Sequence, residues 1–491
     1  MRTICVYDNH IEPNVFIKNI IGEKTFGEVI LKRRSIKDKF FSFIKKQLVI
    51  DEVLELDHNW QIDALVNRIR YDDDNAHIVH IFSNFIFLNE ESMSILLRKI
   101  PYIEENYLYL CNGMPALFAM HRPNEYCQFL QKYSSDLQNR EIYLSHNTNT
   151  SFEPVETDIF YDLGIHNNFL QYISGGFDSR FFNSVKGDEF TVIKSSEDKE
   201  KIKAEYQFYH LLPDYMKTWF VMPYHYQEGD NSASYEMERY HMTDLAIRWV
   251  HGAITVEEFK QLLDKVFHFI QIRQEKQVSQ AEYEVIENKL YLKKLDERIE
   301  LLKKHDQFYV FADYIKSGTR YTTIDKIVEH YKALYHEITD TMDKRFVSVI
   351  GHGDLCFSNM LFNKEADLLK LIDPKGAVEE EQLWTNPYYD VAKLSHSICG
   401  RYDFFNNGLH HISLDTDLLF KLDIDFDNTE YKKIFRNYVE NSGFSYMAVR
   451  IYEVSLFLSM LPLHMDNPQK VFGFILNAID ILGEIEECLK K

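Results

Sequence analysis

Three side chains with acid–base or metal-binding chemistry lie close together late in the sequence. Asp354 and Asn359 are five residues apart in the segment His352-Gly-Asp-Leu-Cys-Phe-Ser-Asn359, and Asp373 follows the apolar run Leu368-Leu-Lys-Leu-Ile372. One carboxylate to accept a hydroxyl proton, with an Asn and an Asp to hold magnesium beside a triphosphate, is the set that phosphoryl transfer needs. Magnesium prefers oxygen ligands and keeps several waters, so one Asn, one Asp and phosphate oxygens suffice.

Two short apolar segments are expected to position these side chains. Val347-Ser-Val-Ile350 predicts a strand that enters the loop with Asp354 and Asn359, and Leu368–Ile372 predicts a strand that presents Asp373. If these two strands pair as a hairpin, Asn359 and Asp373 come within reach of one cation. The sequence therefore predicts a magnesium site beside the loop that carries Asp354.

The pattern His-Gly-Asp-x-x-x-x-Asn followed by Ile-Asp resembles the aminoglycoside phosphotransferase and choline kinase family, a branch of the protein-kinase-like fold. The segment Pro387-Tyr-Tyr-Asp390-Val-Ala-Lys-Leu394 resembles a second family segment, in which an Asp opens a helix and braces the catalytic loop. The resemblance covers roughly residues 170–490. It implies Asp354 as the catalytic base, His352 and Asp390 as structural supports, and a carboxylate at Asp390 that satisfies N–H groups at a helix start.

The resemblance also implies the cofactors and their ligands. ATP or another nucleoside triphosphate would bind with Mg²⁺, which Asn359 and Asp373 would hold. Glu189-Phe-Thr-Val-Ile-Lys194 is an apolar strand ending in Lys, and it resembles the strand whose Lys pairs with the α- and β-phosphates. Glu205, on a predicted helix that stops at Pro213, would form the ion pair that holds Lys194 in place.

Two further features of the upstream half are expected from order along the chain. Gly175 and Gly176 lie in the segment Ile173–Phe182, which fits a glycine-bearing turn that covers phosphates. An ordinary hairpin turn is the alternative, because a full Gly-x-Gly-x-x-Gly is missing. The segment Tyr235–Tyr240 lies where the family has its hinge between lobes.

Composition limits the classes of partner. The 491 residues include 55 basic and 76 acidic side chains, for a formal charge of −21, which argues against binding nucleic acid or an anionic membrane. No apolar run is long enough to predict a membrane span, and the N-terminus lacks the pattern of a signal peptide. We expect a cytoplasmic protein whose six scattered cysteines are reduced core thiols.

The first part of the chain differs in pattern from the rest. Thr3–Tyr7 and Ala76–Phe82 predict strands, and Ser35–Lys46 and Glu90–Arg98 predict helices, an alternation that indicates an α/β layer. The order weakly resembles sugar nucleotidyltransferases, with Asn84 at the place of a metal-binding Asp. The glycine-rich nucleotide loop of that family is absent here, so this part is interpreted as a degenerate and non-catalytic relative.

The predicted fold class is α+β, a bilobal protein-kinase-like phosphotransferase preceded by this α/β domain. The expected parts are the α/β domain (1–140), a linker rich in polar and turn residues (141–170), a small lobe (171–245) and a helical large lobe with the catalytic loop (246–491).

The predicted function is ATP-dependent phosphorylation of a hydroxyl on a small molecule. The segment Asp373-Pro-Lys-Gly376 resembles kinase-like proteins found with bacterial surface-polysaccharide genes, which implies a sugar, polyol or amino-alcohol acceptor for capsule. A pathway partner enzyme or a homo-oligomer is compatible with this function. Two alternatives stay open: a nucleotide-binding pseudokinase scaffold, and a bifunctional kinase and nucleotidyltransferase.

Overall fold

The computed structural model describes residues 2–71, 76–133, 152–174, 185–187 and 190–490. The chain divides into two compact units, Met1–Phe177 and Asp178–Lys491. Each unit has its own cluster of buried apolar side chains.

The first unit is built on a six-stranded mixed sheet with helices packed on it. Its strands are β1 (Arg2–Asp8), β2 (Ile30–Leu31), β3 (Arg34–Ser35), β4 (Glu52–Leu56), β5 (Ala76–Phe82), β6 (Phe85–Phe87), β7 (Tyr107–Cys111), β8 (Met114–Met120), β9 (Glu153–Glu156) and β10 (Phe160–Asp162). Its helices are α1 (Val15–Ile21), α2 (Ile36–Ile44), α3 (Ile62–Tyr71), α4 (Glu90–Lys99), α5 (Pro123–Tyr133) and α6 (His166–Ile173).

The order of the large sheet is β4-β1-β5-β8-β7-β9. β1 pairs in parallel with β4 and with β5, whereas β8 pairs antiparallel with β5 and β7. Every residue of β5 is buried, as its unbroken apolar run predicts for a strand covered on both faces. The α/β layering predicted from the sequence is confirmed, because all four predicted elements form within two residues of their expected bounds.

The predicted linker is wrong in its second half. β9 pairs in parallel with β7, β10 pairs antiparallel with β6, and α6 buries Phe169 and Leu170. Residues 152–174 therefore belong to the first unit, and the small lobe begins after them rather than at residue 171. The sequence misled because β9 is a largely exposed edge strand, whose polar residues and Pro154 are typical of a loop.

The second unit begins with a small antiparallel sheet and one helix. The strands are β11 (Val185–Gly187), β12 (Thr191–Ser196), β13 (Pro223–Glu228) and β14 (Ala233–Glu238), in the order β11-β12-β14-β13. Helix α7 (Lys199–Leu211) begins at Asp198, whose side chain accepts from Lys201 N, and a short α8 (Asp214–Lys217) follows Pro213. A mixed arrangement of this small sheet and a larger helical part agrees with the predicted α+β class.

The remainder of the second unit is mainly helical. Its helices are α9 (Leu245–Val250), α10 (Val256–Ile272), α11 (Gln280–Asn288), α12 (Lys294–Lys303), α13 (Phe308–Gly318), α14 (Ile324–Thr339), α15 (Tyr389–Ile398), α16 (Tyr402–Asn406), α17 (Thr429–Asn441), α18 (Tyr446–Met460) and α19 (Pro468–Leu489). Its short strands are β15 (Glu275–Gln277), β16 (Val347–Ile350), β17 (Met360–Asn363), β18 (Leu368–Leu371), β19 (Trp384–Thr385), β20 (His411–Leu414) and β21 (Phe420–Asp423).

Helix α18 is the centre of this helical part. The helical stretch Tyr446–His464 is long and apolar enough to cross a membrane, yet 72% of its most apolar window is buried against the rest of the protein. It contacts helices α12, α14, α15 and α19, so its apolar surface is covered by protein.

The hairpin predicted from β16 and β18 does not form. β16 pairs with β15 and β19, and β18 pairs with β17, a strand that the sequence analysis did not identify. The reason is local, because β17 follows Asn359 directly and the short turn after Asn363 folds β18 back onto it. Strand β18 is thus next to the chain segment that holds Asn359, but through a different partner from the one predicted.

Candidate active site

The hairpin of β17 and β18 brings Asn359 and Asp373 to the same end. Met360 is opposite Leu371, and Ile372 N donates to Asn359 O at 3.0 Å, so Asn359 and Asp373 leave the hairpin as neighbours. Asp373 has a positive φ of 54°, a left-handed conformation that costs a non-glycine residue of the order of 1 kcal/mol. Asp373 therefore leaves the hairpin next to Asn359 in an unusual backbone conformation.

The donor set at this point fits magnesium. Asn359 Nδ2 donates to Asp354 O at 2.9 Å and to Asp354 Oδ2 at 3.1 Å, which leaves its amide oxygen as the group to face a cation. Asp373 adds a carboxylate whose side chain is 43% exposed. No cluster of three or more His, Cys, Asp or Glu in the described ranges is arranged as a metal site, so a bound magnesium would need phosphate and water oxygens as well.

Asp354 is a carboxylate with two engaged oxygens and an open side. Its Oδ1 lies 2.8 Å from Lys393 Nζ, its Oδ2 accepts from Asn359, and its side chain is 41% exposed. Burial alone would raise the pKa of Asp354, but the charge and the hydrogen bond of Lys393 outweigh it and lower that pKa. Asp354 is therefore ionised at neutral pH and able to accept a hydroxyl proton.

Asp390 supports the loop that carries Asp354. Its Oδ2 accepts from His352 N at 3.0 Å and its Oδ1 accepts from Gly353 N at 2.8 Å. The carboxylate thus satisfies N–H groups of the catalytic loop, whereas we had expected N–H groups of its own helix. Arg273 Nη1 pairs with Asp390 Oδ2 at 2.9 Å, and Arg273 Nη2 donates to Pro387 O at 3.0 Å.

His352 joins the catalytic loop to the strand end before Asp373. Its Nδ1 accepts from Asp354 N at 3.2 Å, so its Nε2 carries the proton and donates to Ile372 O at 2.9 Å. Burial lowers the pKa of His352, and the ring is stacked on Phe220. Both nitrogens of this neutral, buried imidazole are therefore engaged in contacts within the protein.

Lys194 connects the small sheet to the hairpin. Its Nζ lies 2.7 Å from Glu205 Oε2 and 2.7 Å from Asp373 Oδ1. Burial would lower the pKa of Lys194, but the two carboxylates outweigh it and raise that pKa, so the ammonium is charged. Lys194 lies within β12, which continues to Ser196, rather than at its end as predicted.

Tyr235 was expected in a hinge but lies in the middle of the small sheet. It is paired with Lys194 in β14, and its hydroxyl donates to Glu205 Oε2 at 3.1 Å. The segment Tyr235–Glu238 is therefore strand, and only Arg239 and Tyr240 of the predicted hinge follow it. Sequence reasoning missed this support for Glu205 because a single Tyr in a strand carries no sign of its partner.

The loop after Asp373 contacts both the helix of Glu205 and the catalytic loop. Ala377 N donates to Ala204 O at 2.9 Å, and Lys375 N donates to His352 O at 2.9 Å. A Cβ at Gly376, where φ is 86°, would lie 2.9 Å from the backbone carbon of Ala204. Glycine is thus required for this close approach, which ties α7 to the catalytic loop.

The predicted phosphate-covering residues Gly175 and Gly176 lie outside the residues that the structure describes. The other seven predicted site residues lie in the second unit. Six of them form two chains of contacts, from Glu205 through Lys194 to Asp373 and from Asn359 through Asp354 to His352. The backbone of Ile372 joins the two chains, and Asp390 accepts from the backbone of the catalytic loop. The arrangement offers a buried ammonium, two oxygen ligands for a cation and an ionised base, the groups that bind a nucleoside triphosphate and activate a hydroxyl.

Comparisons with known proteins found no matching family model and no matching curated protein. Among solved structures, the chain is similar to the aminoglycoside phosphotransferase APH(4)-Ia in a ternary complex with ADP and hygromycin B. The identity is 12% and the TM-score 0.36, over 62% of this chain and 95% of that chain. It is also similar to a protein described as a fructosamine-3-kinase from Haemophilus somnus 129PT, at 12% identity and a TM-score of 0.34, over 60% of this chain and 83% of that chain. These neighbours are small-molecule kinases by name, but at such low scores the likeness adds nothing to the side-chain geometry.

Proposed function

We propose that this protein is an ATP-dependent phosphotransferase that phosphorylates a hydroxyl of a small molecule. The observation that supports it most is the position of Lys194, whose ammonium lies 2.7 Å from both Glu205 and Asp373. The Glu205 carboxylate is buried, whereas the Asp373 carboxylate is open to solvent and follows the hairpin end next to Asn359. A lysine held in this way is placed to contact phosphates on one side of a metal site, which is the nucleotide-binding arrangement of kinases.

Each residue then has a defined task. Lys194 contacts the α- and β-phosphates, and Glu205 with Tyr235 keeps its ammonium in place. Asn359 and Asp373 hold magnesium, which supplies charge neutralisation between the β- and γ-phosphates. Asp354 orients the acceptor hydroxyl and takes its proton late in the transfer, for which an ordinary carboxylate is sufficient because the transition state is loose.

The acceptor belongs to the same proposal. A sugar, polyol or amino-alcohol for a surface polysaccharide is the class that the Asp373-Pro-Lys-Gly376 resemblance supports. The acidic composition supports the absence of nucleic-acid partners, and the need for ATP and magnesium supports action in the cytoplasm. A pathway partner enzyme or a second copy of the chain would be its protein partner.

The scaffold alternative is disfavoured by the open side of the site. A pseudokinase needs no base, yet Asp354 is oriented by two donors and is 41% exposed. The bifunctional alternative would need a second nucleotide site in the first unit, where the strand-end carboxylate Asp8 is fully buried. The kinase reading therefore uses more of the observed geometry than either alternative.

A screen tests the proposal. The full chain is incubated with Mg–ATP and single sugars, polyols or amino-alcohols, and ADP release is measured beside an Asp354→Asn control. We expect one class of hydroxyl compound to raise ADP release well above the rate with water, in the wild type only. A wild-type chain that neither binds Mg–ATP nor releases ADP with any compound would overturn the proposal.

A further inference from the structure

The catalytic loop carries no cation of its own. Between Asp354 and Asn359 the sequence reads Leu-Cys-Phe-Ser, and three of these four side chains are buried apolar groups. The ammonium beside the base comes instead from Lys393, whose Nζ is 2.8 Å from Asp354 Oδ1. The sequence analysis included Lys393 in a motif but assigned it no role.

Helix α15 places this ammonium beside Asp354 from a position near its N-terminus. Asp390 and Lys393 are three residues apart, so they lie on the same face of the helix. Asp390 accepts from the backbone of the catalytic loop, and Lys393 pairs with the carboxylate that the loop presents. One helical turn thus fixes both the backbone and the side chain of the loop.

Lys393 and Asn359 together hold Asp354 in one orientation. Lys393 is only 14% exposed, and a buried ammonium is costly unless it is paired. In the described part of the chain, Asp354 is the one carboxylate that pairs with it. Because Oδ1 is bound by Lys393 and Oδ2 by Asn359, rotation of the carboxylate would break a contact on either side.

A second ion pair, which supports the same loop from outside it, has a purely structural role. Arg273 and Asp390 are 1% and 0% exposed, and both are closed off by backbone hydrogen bonds. The pair of Lys393 and Asp354 is instead partly open to solvent, because the Asp354 side chain is 41% exposed. An acceptor can therefore reach the carboxylate that Lys393 holds, whereas none can reach Asp390.

We propose that Lys393 is a positioning residue for phosphoryl transfer, and that its ammonium aims the Asp354 carboxylate at the acceptor hydroxyl. The inference rests on the proposed function. In the step that it serves, the acceptor oxygen bonds to the γ-phosphorus and its proton passes to Asp354. The bond from the γ-phosphorus to the bridging oxygen breaks, and ADP leaves with that electron pair.

The test uses the full chain, Mg–ATP and water as the acceptor, so that it does not depend on the natural substrate. Lys393→Met removes the charge at similar length, and Lys393→Arg keeps it. Lys294→Met is the matched control, because Lys294 is a lysine of the neighbouring helix that contacts the Tyr389 hydroxyl and not Asp354. The kcat for ATP hydrolysis, the KM for Mg–ATP, the affinity for Mg–ADP and the melting temperature are measured for each.

If Lys393 orients Asp354, its loss should lower kcat and leave the KM for Mg–ATP and the affinity for Mg–ADP nearly unchanged. Lys393→Met should lower kcat about 100-fold, the usual cost of misplacing a catalytic group, while KM and Mg–ADP affinity stay within about twofold. Lys393→Arg should recover at least about tenfold of that loss, and Lys294→Met should stay within about twofold of the wild type. If Lys393→Met does not fold, Lys393→Gln, which also removes the positive charge, should show the same split.

Two outcomes would overturn the inference alone. One is a Lys393→Met kcat within threefold of the wild type. The other is a joint loss of melting temperature and nucleotide affinity that Lys393→Arg does not relieve, which would make the pair a structural tether. A wild-type chain that neither binds Mg–ATP nor hydrolyses it would instead overturn the proposed function, and this inference with it.

Discussion

Both units place a carboxylate at the end of a strand, but with opposite access to solvent. In the first unit Asp8 ends β1, is fully buried, and is bonded by His10 Nδ1 and by His80 Nε2, the latter at 3.0 Å. In the second unit Asp373 follows β18 and is 43% exposed. The residue types are alike, so the type alone does not distinguish a group that holds the fold from one that can meet a ligand.

Asn84 supports the same distinction within the first unit. It stands where the weak nucleotidyltransferase resemblance would place a metal ligand, yet it is buried and donates to Asp162 Oδ1 at 2.9 Å. Asp162 also accepts from Gly164 N at 2.8 Å. These contacts join β5 to the turn after β10, so we expect the first unit's polar cluster to contribute to stability and the second unit's to chemistry.

Loss of the base should have the largest effect. Asp354→Asn keeps the shape and the contact with Asn359 but cannot take a proton, so we expect a fall in kcat of about 10²–10⁴-fold. Affinity for Mg–ADP should stay within about threefold, because Asp354 does not contact the nucleotide in the proposed arrangement. Steady-state ADP release and nucleotide titration measure the two quantities, and turnover within threefold of the wild type would contradict the assignment.

Loss of the exposed strand-end carboxylate, Asp373, should have the second largest effect. Asp373→Ala removes one magnesium ligand and one partner of Lys194, so the magnesium-dependent part of ATP affinity should disappear. ATP titrations with and without magnesium measure that part directly. A variant that still binds ATP more tightly with magnesium than without it would show that the metal is held elsewhere.

Loss of the charge on Glu205, the buried partner of Lys194, should have a smaller effect, on the KM for Mg–ATP. Glu205→Gln keeps the volume but removes a charged hydrogen bond of about 1.5–3 kcal/mol, so KM for Mg–ATP should rise by about 10–100-fold. Tyr235→Phe is the matched control, because it removes only the neutral donor to Glu205 and should change KM far less. Equal effects of the two substitutions would mean that Glu205 acts mainly by packing.

Loss of the buried carboxylate of the first unit should leave chemistry intact. Asp8→Asn should lower the free energy of unfolding by about 1–3 kcal/mol, the cost of a damaged buried hydrogen-bond network, with ATP turnover per folded molecule unchanged. Calorimetry and turnover on the same preparation compare the two. A loss of turnover without a loss of stability would make the first unit part of the reaction.

The same carboxylate gives a pH dependence of known sign. Burial alone would raise the pKa of Asp8, but hydrogen bonds from His10 and His80 outweigh it and lower that pKa. A lowered folded-state pKa stabilises the fold above the unfolded value of about 4, and this contribution is lost as the pH falls below it. The difference in melting temperature between wild type and Asp8→Asn should therefore shrink on acidification from about pH 5.

Local features of the fold were predictable because they depend on short segments. The strands at Val347–Ile350 and Leu368–Leu371 and the helix that carries Glu205 follow apolar period and a Pro stop. The hairpin partner was not, since Met360–Asn363 follows the catalytic loop directly, without a turn signal that would mark where a strand begins.

The candidate site was predictable where a motif joined nearby residues and not where distant residues met. Asp354, Asn359 and Asp373 lie within one short span, so their spacing was informative. Arg273 meets Asp390 across 117 positions, and Tyr235 meets Glu205 across 30. Such pairs are set by tertiary packing, and a single charged or aromatic residue carries no sign of its partner.

The segment around Gly376 connects helix α7, which carries Glu205, to the catalytic loop, and we expect these two parts to open together. Ala377 N is bonded to the helix that carries Glu205, and Lys375 N is bonded to the catalytic loop, with no room for a side chain between them. We expect a local opening that frees one amide to displace the three-residue segment Lys375–Ala377 and so to free the other. In hydrogen–deuterium exchange these two amides should behave as one cooperative unit, and Mg–ATP should slow both by the same factor.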